Sequence, residues 1–164
     1  MIPVYVFDID GTLADCSRRE IFEMKRPCIV VAGFGRCGSS MLMQMLARGG
    51  VKCLGRAPGY EDARASIDDF APEWFAGLSN CAVKVLSPEK CRIADMPNHI
   101  VVWLDRDSDE QAKSMIKFLN FFGAPVWSNR VVRKTLAASV KRDRATAREK
   151  IGGGGGTDFL TLRF

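Results

Sequence analysis

Histidine is almost missing from this chain: His99 is the single one in 164 residues. Six cysteines (Cys16, Cys28, Cys37, Cys53, Cys81 and Cys91) are present without one Cys-x-x-Cys pair. Zinc sites draw on clustered thiolates and imidazoles, so neither a zinc finger nor a His-ligated metal centre is expected. The cysteines read instead as reduced thiols of a cytoplasmic protein, several of them in or beside apolar runs where cysteine behaves as a small buried hydrophobe. No apolar stretch approaches the ~20 residues a membrane-spanning helix needs. The acidic opening at Asp8 and Asp10 is unlike a secretory signal. Aromatic residues make up 9% of the chain and are not interleaved with the basic ones, which argues against a nucleic-acid platform. Trp74, Trp103 and Trp127 are too scattered to form a cluster, and no internal repeat is visible.

What is present is enough for one α/β core of ordinary hydrophobic content, 47%. The formal charge of +5 is unevenly spread. Residues 1–82 carry nine Lys and Arg against ten Asp and Glu, whereas residues 83–164 carry fifteen against nine. Much of the excess lies in 129–151. At helical spacing Arg130, Arg133, Lys134, Lys141, Arg144 and Arg148 form a basic stripe, with Val132, Leu136, Val140, Ala147 and Ile151 on another face. Such a stripe is ordinarily a solvated face; the alternative is a guide for an anionic cofactor or acceptor. Strands are expected at 3–8, 28–33, 51–54, 81–86, 99–105 and 158–163. Helices are expected at 39–48, 60–70, 108–121 and 129–150, and the five glycines 152–156 read as a loop. Strands alternating with helices imply a mostly parallel sheet with helices on both faces.

The densest signal runs from Cys28 to Leu46. Ile29, Val30 and Val31 lead into Gly33-Phe34-Gly35-Arg36-Cys37-Gly38-Ser39-Ser40, and a Met/Leu-rich helical segment follows at once. Strand, glycine turn and helix point backbone N–H groups and a helix N-terminus at an anion. The spacing is that of a P-loop, yet Ser39 stands where a nucleotide kinase has lysine, and the loop's cation is Arg36. Cys37 fills a small-residue slot, although its place at a helix start also allows a lowered pKa. Met41, Met43 and Met45 read as core filler.

A basic residue, a small one, Gly and two hydroxyl residues resemble the 5′-phosphosulfate loop of PAPS-dependent sulfotransferases. The resemblance covers residues 28–164. It implies a P-loop nucleotide-binding α/β fold, in which Gly33, Gly35, Arg36, Cys37, Gly38, Ser39 and Ser40 grip the 5′-phosphosulfate of PAPS. It also implies a downstream strand ending in Arg with a Ser eight residues later, for the 3′-phosphate. His99–Asp105 followed by Arg106, with Ser114 eight positions on, matches. Ala82–Leu86 resembles the family strand ending in Lys-Thr-His, so Lys84 is a candidate catalytic residue, while Leu86 stands where the catalytic His is found. Glu61, in Tyr60-Glu61-Asp62, is a candidate acceptor-side base. The partners implied are the nucleotide and a small-molecule or glycan acceptor. The final strand stops where the family continues into further elements, so cofactor binding is the firmer expectation and turnover the weaker one.

Residues 1–26 read as a separate N-terminal segment before the domain at 27–164. Val4–Phe7 followed by Asp8-Ile9-Asp10-Gly11-Thr12 resembles the first motif of haloacid-dehalogenase-like phosphatases. There the first Asp attacks phosphorus, the second is the general acid/base, and both place Mg²⁺. A Mg²⁺-dependent phosphatase using Asp8 and Asp10 is therefore the alternative activity, and a non-catalytic fused remnant with an anion-binding loop is the third reading. The first reading needs no metal.

Overall fold

The computed structural model describes residues 5–7, 13–15, 26–65, 72–86, 88, 99–124, 130–152 and 158–163. Two short strands, β1 (Tyr5–Phe7) and β2 (Leu13–Asp15), pair antiparallel in a sheet of their own. The main sheet is four-stranded and wholly parallel, in the order β4-β3-β5-β6. Its strands are β3 (Cys28–Gly33), β4 (Ala82–Leu86), β5 (His99–Asp105) and β6 (Asp158–Arg163). The helices are α1 (Ser39–Arg48), α2 (Pro72–Ala76), α3 (Ser108–Phe121) and α4 (Arg130–Gly152).

Alternation along the strands divides the core in two. Val30 and Ala32 lie with Val83, Val85, Val101 and Trp103 in one cluster, which Phe75 of α2 and Ala147 of α4 close. Val31, Ala82 and Leu104 face the other way and meet Met43, Leu42 and Leu46 of α1. Those three residues share one helix face at i, i+1 and i+4. A sheet covered on both sides explains why its strands read as continuous apolar runs. The helices at both faces follow the sequence expectation.

Helix ends are set by local bonds. α1 stops at Gly49 and Gly50, where Gly50 N–H bonds Ala47 O at 3.1 Å and Val51 N–H bonds Leu46 O at 3.0 Å. That pairing is the Schellman stop. α3 starts at Asp107, whose carboxylate accepts from the N–H groups of Asp109 and Glu110, both at 3.0 Å.

Three expectations need correction. Residues 51–54 make no strand; Cys53 forms one isolated bridge to Ala82 before the chain turns at Gly55. The helix expected over 60–70 is only the short 3₁₀ turn Ala63–Ala65 among the described residues. Tyr60 has φ 53°, and the Asp62 carboxylate takes the Arg64 N–H at 3.0 Å, so side-chain bonds displace the helical ladder. Of the three methionines after the loop only Met43 is buried; Met41 and Met45 are exposed. Neither β2 nor α2 was expected from the sequence. Residues 153–156 of the glycine run lie outside the described residues, and Gly152 ends α4.

Candidate anion-binding site

Strand order places the site. The chain leaves central β3 for β4 on one side and returns to β5 on the other. Because all four strands are parallel, the turns after β3 and β5 leave the sheet at the same end and beside each other. That crevice is where open α/β sheets bind ligands.

The β3–α1 turn is built by close packing. A Cβ on Gly33 would stand 2.7 Å from the Cys37 sulfur and 3.2 Å from Leu104 O, so no larger residue fits. Cys37 is buried, and burial pushes its thiol pKa up against the opposing pull of the Ser39 N–H and hydroxyl. The lowered pKa that its position allowed is therefore not found; the thiol is a packing group. Gly38 caps α1 at φ 94° with no side-chain cap bond, a conformation that only glycine adopts without strain. The first turn of α1 thus keeps its N–H groups clear of any side-chain cap at Gly38.

Arg36, Gly38, Ser39, Ser40, Met41, Arg106 and Ser114 line one cavity of about 190 Å³. Six of these seven residues were singled out from the sequence, and two distant motifs meet here. Arg36 adopts φ 68° and is exposed. Its Nε donates to Ser114 Oγ at 3.1 Å, and its guanidinium lies 5.0 Å from the centroid of the Phe118 ring. Arg106 donates from Nη1 to Arg36 O at 3.0 Å. Gly33, Gly35 and Cys37 shape the turn without lining the cavity.

Lys84 lies on the α1 face of β4 with its side chain 1% exposed. A buried ammonium has three donors that need acceptors. They reach Ser40 Oγ at 3.2 Å, Gly59 O at 2.6 Å and Glu61 Oε1 at 2.8 Å. Lys84 therefore ties the first turn of α1 to the 55–61 loop. Glu61 joins it as an ion-pair partner, with a side chain 68% exposed.

Gln111 carries a part of the site that the sequence analysis did not single out. It is buried, and its Nε2 donates to Gly35 O at 2.7 Å and Phe34 O at 3.2 Å, holding the turn from the α3 side. Its Oε1 accepts from Arg144 Nη2 at 2.8 Å. The only sequence signal for it is position: Gln111, Ser114, Met115 and Phe118 recur on one face of α3. Arg144 in turn reaches Asp105 at 2.6 Å, Arg133 reaches Asp109 at 3.1 Å, and Arg148 reaches Thr161 at 3.4 Å. Arg133, Arg144 and Arg148 of the α4 stripe are thus engaged with α3, β5 and β6, while Arg130, Lys134 and Lys141 are exposed.

Asp8 and Asp10 lie outside the described residues. The strand that leads to them, β1, pairs with β2 and does not belong to the parallel sheet. Among the described residues no three His, Cys, Asp or Glu side chains converge as a metal site, and no helix is long and apolar enough to cross a membrane. Comparison with protein-family models, curated proteins and solved structures finds no match.

Proposed function

We propose that the chain binds a 3′-phosphoadenosine nucleotide at the β3–α1 turn, as a sulfotransferase-like protein of P-loop type. The observation that carries this reading is the single cavity in which Arg36, Gly38, Ser39 and Ser40 meet Arg106 and Ser114 from another strand and helix. The cavity fits an anion by its donor set: a glycine-capped helix start, three hydroxyls and two guanidinium groups. PAPS supplies an activated sulfuryl group. The chain's residues would hold its 5′-phosphosulfate with Arg36, Ser39 and Ser40, and address its second phosphate through Arg106. If an acceptor oxygen attacked sulfur and broke its bond to the bridging phosphate oxygen, these donors would stabilise the charge left on the phosphate, and the acceptor's proton would pass to Glu61 or solvent. Lys84 acts on this site by fixing Ser40, and Glu61 stands at the same edge for an acceptor. The acceptor class is a hydroxyl or amine of a small molecule or glycan. The phosphatase reading draws no support from β1, since its aspartates need a strand among the parallel ones.

Calorimetric titration with adenosine 3′,5′-bisphosphate tests the reading. Wild type binds, and Arg36→Ala weakens binding by about tenfold to a hundredfold, as a charge-assisted contact of roughly 1.5–3 kcal/mol requires. Absence of binding by wild type, or an Arg36→Ala variant that binds equally well, rejects it. Magnesium-dependent hydrolysis of a phosphate ester that Asp8→Asn abolishes would establish the alternative.

A further inference from the structure

A second cavity, about 360 Å³, opens beside the first and is lined by Asp105, Arg106, Asp107, Ser108, Lys141, Arg144 and Arg163. Arg106 lines both cavities. The first, at about 190 Å³, is smaller than the ~300 Å³ at which small-molecule pockets begin, whereas the second falls within that range. A ligand with two anionic groups set apart by a sugar therefore has room for one at the turn and needs another place for the other.

The second cavity has the charge to be that place. Its lining holds four cations and two carboxylates. Both carboxylates have other work: Asp107 caps α3 through its two N–H bonds, and Asp105 lies 2.6 Å from Arg144 and 3.5 Å from Arg163. Lys141 stands one helical turn before Arg144 and is exposed, and the Arg163 side chain is 81% exposed. Two cations thus face solvent around a polar floor, beside a guanidinium that also reaches the turn.

We infer that Arg106, Lys141, Arg144 and Arg163 form a second anion subsite, which takes a phosphate or sulfate ester while the first anion sits at the turn. The inference rests on the nucleotide reading for its first anion. It adds Lys141, Arg144 and Arg163 to Arg106 in recognition of the second one, while Ser114, whose hydroxyl accepts from Arg36, lines only the first cavity. The ester belongs either to the nucleotide's 3′-position or to an acidic acceptor.

The test replaces only the two exposed cations, in the double variant Lys141→Ala/Arg163→Ala, with an unchanged unfolding midpoint as the control for folding. Calorimetry follows three probes: adenosine 3′,5′-bisphosphate, adenosine 5′-monophosphate and a sulfated disaccharide. Loss of about ten- to a hundredfold on the bisphosphate, with the monophosphate within twofold, assigns the subsite to the nucleotide. The same loss on the disaccharide alone assigns it to an acceptor. Equal losses on both nucleotides, no loss on any probe, or a wild type that binds none of them overturns it. A wild type that holds the disaccharide through Lys141 but binds neither nucleotide keeps the subsite and removes the nucleotide reading.

Discussion

The two sides of the α1 N-terminus use their cations in opposite ways. On the β4 side, Lys84 is buried and all three of its donors are taken by Ser40, Gly59 and Glu61. On the β5 side, Arg36 is exposed and Arg106 half-buried, and both line an open cavity. A buried ammonium is expensive to desolvate and persists because its acceptors are in place. An exposed guanidinium contributes little to stability, and Arg36 and Arg106 keep donors beyond their bonds to Ser114 and the Arg36 carbonyl. The β4 side is therefore scaffold, and under the proposed function the β5 side is the binding face.

The largest effect that would break this contrast comes from Lys84→Met. It leaves Gly59 O and the Ser40 hydroxyl without their ammonium and lowers unfolding stability by about 3 kcal/mol. The check is the denaturant midpoint at constant slope. Unchanged stability would move Lys84 from the scaffold to the binding face. Next in size is Asp107→Ala on the β5 side, which removes the two cap bonds to α3 and costs about 1 kcal/mol. Thermal unfolding reads it, and anion affinity should not fall, because a nearby negative charge has gone. Smallest is Glu61→Gln. Its side chain is 68% exposed, so breaking the pair with Lys84 costs below about 0.5 kcal/mol. A loss as large as that of Lys84→Met would show that the ion pair, rather than the bonds to Gly59 and Ser40, holds this side together.

The sequence revealed the parts of the fold that have a strong period or a strong stop. Residues 28–33, 99–105 and 158–163 and helices 39–48 and 108–121 have the expected bounds. Apolar β-branched runs and Gly49-Gly50 are local signals. Arg36 was singled out by the glycine spacing of the turn, and Arg106 by the resemblance together with its place directly after an apolar run. The 51–65 stretch was not legible, because Lys84, twenty-three residues beyond Glu61, holds its shape through Gly59 and Glu61. Gln111 was invisible for the same kind of reason: its partners Phe34, Gly35 and Arg144 come from a distant turn and another helix. The basic stripe on α4 was seen, as a solvated face or a guide for an anion, but charge spacing does not show that Arg133, Arg144 and Arg148 have neighbours to pack against.

Gln111 has a consequence beyond holding the turn. One end of its amide grips the carbonyls of Phe34 and Gly35, and the other receives Arg144, which also serves Asp105 in the second cavity. The two cavities are thus linked through Gln111 and Arg144, in addition to the Arg106 that lines both. If anions bind both cavities as proposed, one that competed with Asp105 for Arg144 would act on Gln111, and through it on the turn. Coupling of this kind is reciprocal: whatever factor the second anion applies to the affinity of the first, the first must return to the second. Gln111→Leu removes this link, so the effect of one anion on the affinity of the other shrinks to what Arg106 and their mutual charge carry.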